Sequence, residues 1–477
     1  MRDKYTFALF CALVVFLVSC APGNDADYAF TNVNLVPMTN ETVIENQTVL
    51  ISGTQITAIG NDGDLHIPRD AQVIDGQGAY LMPGLADMHM HTRADWEDAE
   101  VWPVHPLRLY LANGVTTIRD FAPHGSPITY ALQWREEIQA GERIGPAIYA
   151  SGRLLYASPL EDAQAMVQQN HAAGFDFLKL YSYLSPEDLE AAVQAAKDVE
   201  MYTAGHIPYM VGLEGVLDAG MDEVAHVEEL LPEFFDINRN QVLSPQMWQA
   251  ALAHTVQDEF VSASPAMQAD FERDHVEKLA VIAAQLKAGD VPVCTTMVVD
   301  DVIQQKLFAP QDFLKRPENA YFEAGYLATF QRGEEKHQVQ CRGIESLCAA
   351  KHDIDRWLLR GLHEADVLLL LGTDSGTGGM GIVPGYSIHD ELHILVENGF
   401  TPYEAIATGT VNAAIVAQQM NRNGDFGTIA VGNRADLLLL RDNPLEDITA
   451  IKEPLYIVAA GKLYTRDELL SLQGDLR

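Results

Sequence analysis

The sequence predicts an α/β protein: a parallel (β/α)8 barrel of the TIM type, a small β-sandwich built from both termini, and a helical cap inserted into the barrel. Three observations predict it. Eight short apolar runs recur through the middle of the chain with helical patterns between them, and parallel strands need such crossovers. Residues 28–82 and 427–465 instead read as short β-like runs. Two stretches, around 230–275 and 300–350, exceed ordinary loop lengths and contain helical patterns. An open doubly wound sheet is the alternative that periodicity alone leaves standing.

Within the N-terminal region, Val49-Leu50-Ile51-Ser52-Gly53 and Gln55-Ile56-Thr57-Ala58-Ile59-Gly60 flank a Gly53-Thr54 turn. Residues 435–440 and 455–462 match them at the far end, so one sandwich drawing on both termini is expected. The barrel then occupies 83–426, with strands at 81–89, 114–120, 146–151, 175–181, 201–206, 223–226, 291–299 and 367–374. Helix starts are well marked. Ser185-Pro186-Glu187-Asp188 combines an N-cap, a proline at the first helical position and first-turn acids, and Thr401-Pro402-Tyr403-Glu404 reads as a capping box.

The chain has 477 residues, 48% of them hydrophobic, and 31 Lys+Arg against 67 Asp+Glu for a formal charge of −36. That apolar content allows a large core and excludes an acidic disordered chain. The negative surface repels phosphates, so nucleic acid is a poor partner.

Arg2 and Lys4 precede an apolar run too short to span a bilayer but suited to a signal peptide. Leu17-Val18-Ser19-Cys20 resembles a bacterial lipobox. The resemblance implies a signal over 1–19, lipidation of Cys20 and a polar tether over 20–27. Ala21, where an Asp would retain the protein in the inner membrane, implies an outer-membrane lipoprotein facing the periplasm, or an otherwise secreted protein. The lipid would be its only membrane contact. Cys294, Cys341 and Cys348 remain in the body of the chain. An oxidising envelope permits a Cys341–Cys348 bridge without establishing one, and inert thiols are the alternative. The absence of CxxC argues against a cysteine zinc site.

Most histidines, including His254, His275, His337, His352 and His363, read as surface or packing residues. His89, His91, His206 and His226 differ, because each closes an apolar strand-like run, as does Asp374. In a barrel the carboxyl ends of the strands converge on one face. His89 and His91 are two residues apart, so their rings project to the same side.

With these residues in place, the sequence resembles the metal-dependent amidohydrolase superfamily, in its imidazolonepropionase-like and prolidase-like subgroup. Pro83-Gly84-Leu85-Ala86-Asp87-Met88-His89-Met90-His91 is similar to its opening motif, Gly114-Val115-Thr116-Thr117-Ile118-Arg119-Asp120 to its second strand, and Gly432-Asn433-Arg434-Ala435-Asp436-Leu437 to its closing signature. The resemblance implies two divalent cations, with zinc the metal of choice. His89, His91 and Asp374 would hold one, His206 and His226 the other, and a carboxylated Lys179 both. A hydroxide bridging the metals would attack, with Asp374 as the catalytic proton carrier.

Candidate substrate contacts are His124, Arg153, Tyr181, Tyr209 and His389. Many dipeptidase relatives carry Gly-Gly-His after the third strand, whereas this chain reads Ser151-Gly152-Arg153-Leu154-Leu155, which counts against a dipeptidase. The expectation is a hydrolase of an amide-type C–N bond in a small molecule: an N-acyl amino acid, dipeptide or cyclic amide. The rivals are a mononuclear deaminase, a lactone or ester hydrolase, and a non-catalytic metal-binding envelope lipoprotein. A homo-oligomer stays open.

Overall fold

The computed structural model describes residues 26–259, 265–420 and 424–474. The expected signal peptide, Cys20 and most of the tether lie outside the described residues. No helix among those described is long and apolar enough to cross a membrane.

The chain begins with β1 (Tyr28–Leu35), β2 (Ile44–Ser52), β3 (Gln55–Asn61), β4 (Gln72–Asp75) and β5 (Tyr80–Pro83). Nine parallel strands follow: β6 (Leu85–Met90), β7 (Val115–Asp120), β8 (Ala147–Ala150), β9 (Leu155–Ala157), β10 (Phe177–Tyr183), β11 (Tyr202–Gly205), β12 (Glu223–Val224), β13 (Val293–Cys294) and β14 (Leu369–Leu370). The chain closes with β15 (Leu437–Leu440), β16 (Tyr456–Ala459), β17 (Lys462–Thr465) and a helix, Arg466–Leu472. The termini do come together, but as one hydrogen-bonded sheet in the order β17-β16-β15-β5-β1-β2-β3, with β4 beside β1. The seam is the antiparallel pair β5–β15, Leu437 opposite Pro83 and Leu439 opposite Leu81. Apolar residues at alternate positions, among them Phe30, Val49, Leu81 and Leu437, fill its core.

The parallel strands form a three-stranded sheet, β6-β7-β8, and a six-stranded one, β14-β13-β12-β11-β10-β9. Their edges approach through single bridges. Ser151 pairs with Phe177 and Met90 with Ser375; Asp176 N donates to Ala150 O at 2.8 Å, and Met88 N to Leu371 O at 2.8 Å. The short β9 is an element that apolar periodicity did not mark. Alternation sorts each strand into two faces. Ala86, Met88, Phe121, Phe177, Tyr202, Ala204, Cys294 and Leu370 share one core, while Leu85, Ile118, Leu178, Leu180, Val224 and Leu369 pack outward under the helices. Lys179 sits between Leu178 and Leu180 and so falls on the Phe177 side.

The predicted helix starts are present. Ser185 Oγ accepts from Asp188 N, and Thr401 with Glu404 makes a reciprocal capping box. The two long insertions are helical. After β12 come Val227–Phe234, Pro245–Glu259 and Pro265–Ala288; after β13 come five short turns or helices from Val298 on and the long helix Glu345–Glu364, which packs on Pro265–Ala288 and Val227–Phe234. A disulfide joins Cys341 to Cys348 at the start of that long helix, Cα to Cα 6.4 Å, and Cys294 is a buried free thiol.

Deep among the inward residues, Arg119 and Glu223 form a wholly buried ion pair. Arg119 Nη1 donates to Glu223 Oε2 at 2.8 Å, its Nε to Met88 O at 2.8 Å, and Tyr202 OH to Glu223 Oε2 at 3.1 Å. Each partner therefore leaves a stranded charge if the other is removed. Arg119→Ala and Glu223→Ala are each expected to cost about 3–5 kcal/mol of unfolding free energy, and Arg119→Met with Glu223→Leu less than either. Chemical denaturation of the three variants measures this.

Candidate metal centre

The histidines meet Asp374 at the carboxyl ends of the parallel strands. His89 lies in β6 and His91 just beyond it. His91 Nε2 is 3.0 Å from Asp374 Oδ1, and His89 Nε2 3.7 Å from the same oxygen. Ligand atoms from these three residues all lie within 4.8 Å of one another. The His226 ring is 4.4 Å from that of His89, and the His206 ring 4.9 Å from that of His226. Lys179 Nζ stands 4.6 Å over the Phe121 ring, against whose face His89 also stacks at 3.9 Å.

Local backbone sets these positions. Gly205 precedes His206, and a Cβ there would fall 2.0 Å from Leu180 O, so only glycine lets β11 approach β10 this closely. Asp374 takes a left-handed φ of +55°, and Thr296 one of +49°. Such backbone is costly for residues other than glycine and persists where surrounding bonds hold it. Here Asp374 N donates to His89 O at 2.7 Å, and buried Asp87 accepts from His89 N, Thr373 N and Thr373 Oγ1 at 3.3, 3.2 and 2.6 Å. The first and last parallel strands are thereby tied at the site.

Three imidazoles are oriented through Nδ1. His91 Nδ1 faces Ala122 O at 3.1 Å, His206 Nδ1 faces Glu229 Oε1 at 2.5 Å, and His226 Nδ1 faces Thr296 Oγ1 at 2.8 Å. This leaves each Nε2 for the interior, the arrangement of a metal-binding histidine with an outer partner. His89 differs: neither ring nitrogen has a hydrogen-bond partner among the described residues, and neither has Lys179 Nζ.

Burial governs the charges. Desolvation, aided by neighbouring histidines and Lys179, holds His89 and His206 well below the usual histidine range and His226 at about 4, so these rings are neutral near pH 7. Lys179 is lowered from 10.5 to about 8 by burial, against the pull of Asp374, Glu229 and Glu223. Burial pushes Asp374 up, but the His91 hydrogen bond and the nearby charge of Lys179 act against it, and the carboxyl is held below its ordinary range. Burial raises Glu229 to about 7.

Of the five candidate substrate contacts, three stand beside this cluster. His124 meets the His91 ring edge-on at 5.0 Å, and Tyr181 lies 4.2 Å from the His206 ring. Tyr209 follows His206 by three residues, its N donating to Ser182 O at 2.9 Å. Two do not. Arg153 is exposed and lines an outer depression with Pro159, Glu161 and Gln169. His389 is buried on the helix Ser387–Glu397, which packs on the turn Ile448–Lys452, with Lys452 the charge that bears on it. The face of that helix turned to the sheet carries Glu391 instead, which accepts from Met297 N and Val298 N at 3.0 and 2.6 Å. Glu229, Thr296 and Asp87 are the residues that sequence reasoning missed; the acids at 228–229, directly after His226-Val227, were the available signal.

Fold and site together define a parallel α/β protein with a histidine–aspartate cluster suited to metal at its strand ends. Residues 338–463 match the model of the amidohydrolase family. Ochratoxinase from Aspergillus niger is 26% identical over 457 residues, covering 88% of this chain and 83% of the relative. The solved structure of A. niger ochratoxinase overlays 92% of this chain and 96% of its own with a TM-score of 0.61 at 20% identity. A prolidase structure complexed with N-methylphosphonate-L-proline overlays 92% and 99% with a TM-score of 0.62 at 18% identity. An adenine deaminase from Staphylothermus marinus is 36% identical over 95 residues, 20% of this chain and 15% of the relative. The match over residues 338–463 marks a segment similar to the amidohydrolase family, whose members generally use metal ions.

Glu229 offers a check on the centre. Glu229→Ala frees the His206 ring, and metal affinity is expected to fall about 10–100-fold, as for loss of other outer partners. Competition with a chelator of known affinity measures it.

Proposed function

We propose that this chain is a binuclear metal-dependent hydrolase of an amide-type C–N bond, with N-acyl amino acids, dipeptides or cyclic amides as its substrates. One observation carries the reading: buried His89 and Lys179 lack hydrogen-bond partners among the described residues, yet both stand within a ring of imidazoles and one carboxylate. Orphaned buried polar atoms are costly unless something else engages them. The donor set is of the nitrogen and oxygen type that zinc accepts. His89, His91 and Asp374 would hold one cation, His206 and His226 a second, and carboxylated Lys179 both. Bound there, the cations would polarise a carbonyl and supply an activated water near neutral pH.

The chain's own groups divide the remaining work. Neutral Lys179 attacks carbon dioxide: the N–C bond forms as one C=O π bond opens onto oxygen, and the amine proton passes to water, so that the amine becomes a carbamate with two oxygens. Asp374 Oδ1 faces His89, His91 and Thr377, so Oδ2 is assigned to take the proton from water and pass it to the leaving nitrogen. Burial pushes the Tyr181 and Tyr209 phenols up, which keeps them protonated as donors toward a substrate carbonyl or carboxyl group. His124, held at about 4 chiefly by burial, is neutral beside His91.

The two parallel sheets are read as one (β/α)8 barrel joined through its bridges, with the inserted helices as its cap. The N-terminal segment is read as a lipoprotein signal over residues 1–19 followed by a lipidated Cys20, and on that reading the enzyme belongs to the bacterial envelope. A mononuclear deaminase is the second reading, because among the described residues the one compact His/Asp group at the strand ends is His89, His91 and Asp374. Lys179 separates the two.

Protein prepared with zinc and bicarbonate is expected to hold close to two metals per chain. Lys179→Ala should lower that content and reduce amide hydrolysis by more than about 100-fold, beyond what losing an outer partner costs. Retention of both metal content and activity in Lys179→Ala would overturn the binuclear assignment. Carboxylation has its own pH dependence: the reactive neutral amine grows as pH rises through about 8. A carbamate signal from 13C-bicarbonate should therefore be stronger above pH 8 than at pH 6, and absent in Lys179→Ala.

A further inference from the structure

Next to the histidine cluster, the inserted helices enclose a cavity of about 280 Å³. Its body is apolar, lined by Leu231, Pro232, Phe235, Ile237, Leu252 and Leu347. Its polar end is formed by Tyr209, Glu228, Glu229 and Lys351. Three of those four residues continue directly from the strand ends that carry the site: Tyr209 comes three residues after His206, and Glu228 and Glu229 come two and three after His226. Glu229 is itself hydrogen-bonded to His206 Nδ1, so the cavity wall is one contact from the centre. The volume lies near the lower end for small-molecule pockets, about 300–1,000 Å³.

Charge at the polar end decides what can enter. Lys351 Nζ lies 2.5 Å from Glu228 Oε2, 3.1 Å from Asp300 Oδ1 and 2.6 Å from Asp355 Oδ2. One ammonium is thus shared among three carboxylates, and Glu229 adds a fourth acid group nearby. Among the described residues that line the cavity no cation is left over for an anionic ligand, and an apolar body with acids at its base rejects a carboxylate on electrostatic grounds. The far wall is fixed in place, since Leu347, Cys348 and Lys351 stand on the helix whose start is tied by the Cys341–Cys348 disulfide.

We propose that this cavity is a specificity subsite for an uncharged apolar acyl chain of the substrate, so that the preferred substrates are N-acyl amino acids with medium-length chains. The inference rests on the hydrolase reading above. The acyl chain enters between Leu231, Leu252 and Leu347, and the amino-acid carboxylate stays outside it.

The test uses the full chain loaded with zinc and bicarbonate and a series of N-acyl glycines from acetyl to octanoyl. Hydrolytic kcat/KM is expected to rise about three-fold per added methylene until the cavity is full. Leu252→Trp, which fills the cavity from the helix Pro245–Glu259, should abolish that rise. Leu347→Trp, from the opposite wall, gives the same test should the first variant fail to fold. Calorimetric binding of N-octanoyl-glycine, with and without metal, should weaken at least about ten-fold in either variant. An octanoyl chain ending in a second carboxylate should bind no more tightly than acetyl.

Hydrolysis that is flat across the series, or binding unchanged by either tryptophan, overturns the subsite and leaves the hydrolase reading intact. Chain-dependent binding that the tryptophans remove, with no hydrolysis of any member, supports the subsite and overturns the hydrolase reading instead.

Discussion

An ammonium group buried without a hydrogen bond is the constraint on which the site depends. Lys179 gets there by alternation alone: it is the third residue of a strand whose neighbours Leu178 and Leu180 face the helices. A charged lysine in such a place is costly, and the same burial that penalises it holds His206 and His226 neutral near pH 7. What offsets the cost is distributed: the Phe121 ring face beneath Nζ, and the fields of Asp374, Glu229 and Glu223. The site therefore couples one weakly held amine to four imidazoles and a strongly acidic carboxyl. That is a set poised to gain cations.

Immediately below it the charge problem is solved in the opposite way. Arg119 and Glu223 satisfy each other and are sealed from solvent, with Arg119 also lying over Phe121 and Phe177. A fully paired layer offers no ligand and admits no water. The contrast along the strands, paired charges in the interior and unpaired donors at the carboxyl ends, confines chemistry to one end of the sheet.

Sequence pattern carried the strands, the inward side of each and the residues at their ends, because a period of two and a terminal polar residue are local properties. It did not carry the partners that orient those residues. Glu229 reaches His206 across 23 positions, Thr296 reaches His226 across 70, and Thr373 reaches Asp87 across 286. His389 shows the complementary error: a helix places acids and histidines on several faces, and only packing tells that Glu391 turns toward the sheet while His389 turns toward Lys452. Arg153 failed for a similar reason. The residue follows a strand by three positions, yet its backbone is pinned by Asn170 Oδ1 at 3.0 Å and its side chain is exposed. β9 is three residues long and half exposed, too short for any period to register.

His89 stands apart from the other three histidines, and the difference has a physical consequence. His91, His206 and His226 have their rings fixed by a partner on Nδ1. His89 has none, and its plane is set by stacking, 11° from that of Phe121 with ring centroids 3.9 Å apart. Stacking fixes the plane of a ring but leaves open which of its nitrogens carries the proton. No hydrogen bond sets the tautomer of His89, whereas the carbonyl facing His91 Nδ1 and the carboxylate facing His206 Nδ1 each call for a proton on that nitrogen. Phe121 in turn bears Lys179 on its ring, so one aromatic face aligns the least anchored imidazole and the amine. In this arrangement Phe121, which can bind nothing, orients the two groups that most need a ligand.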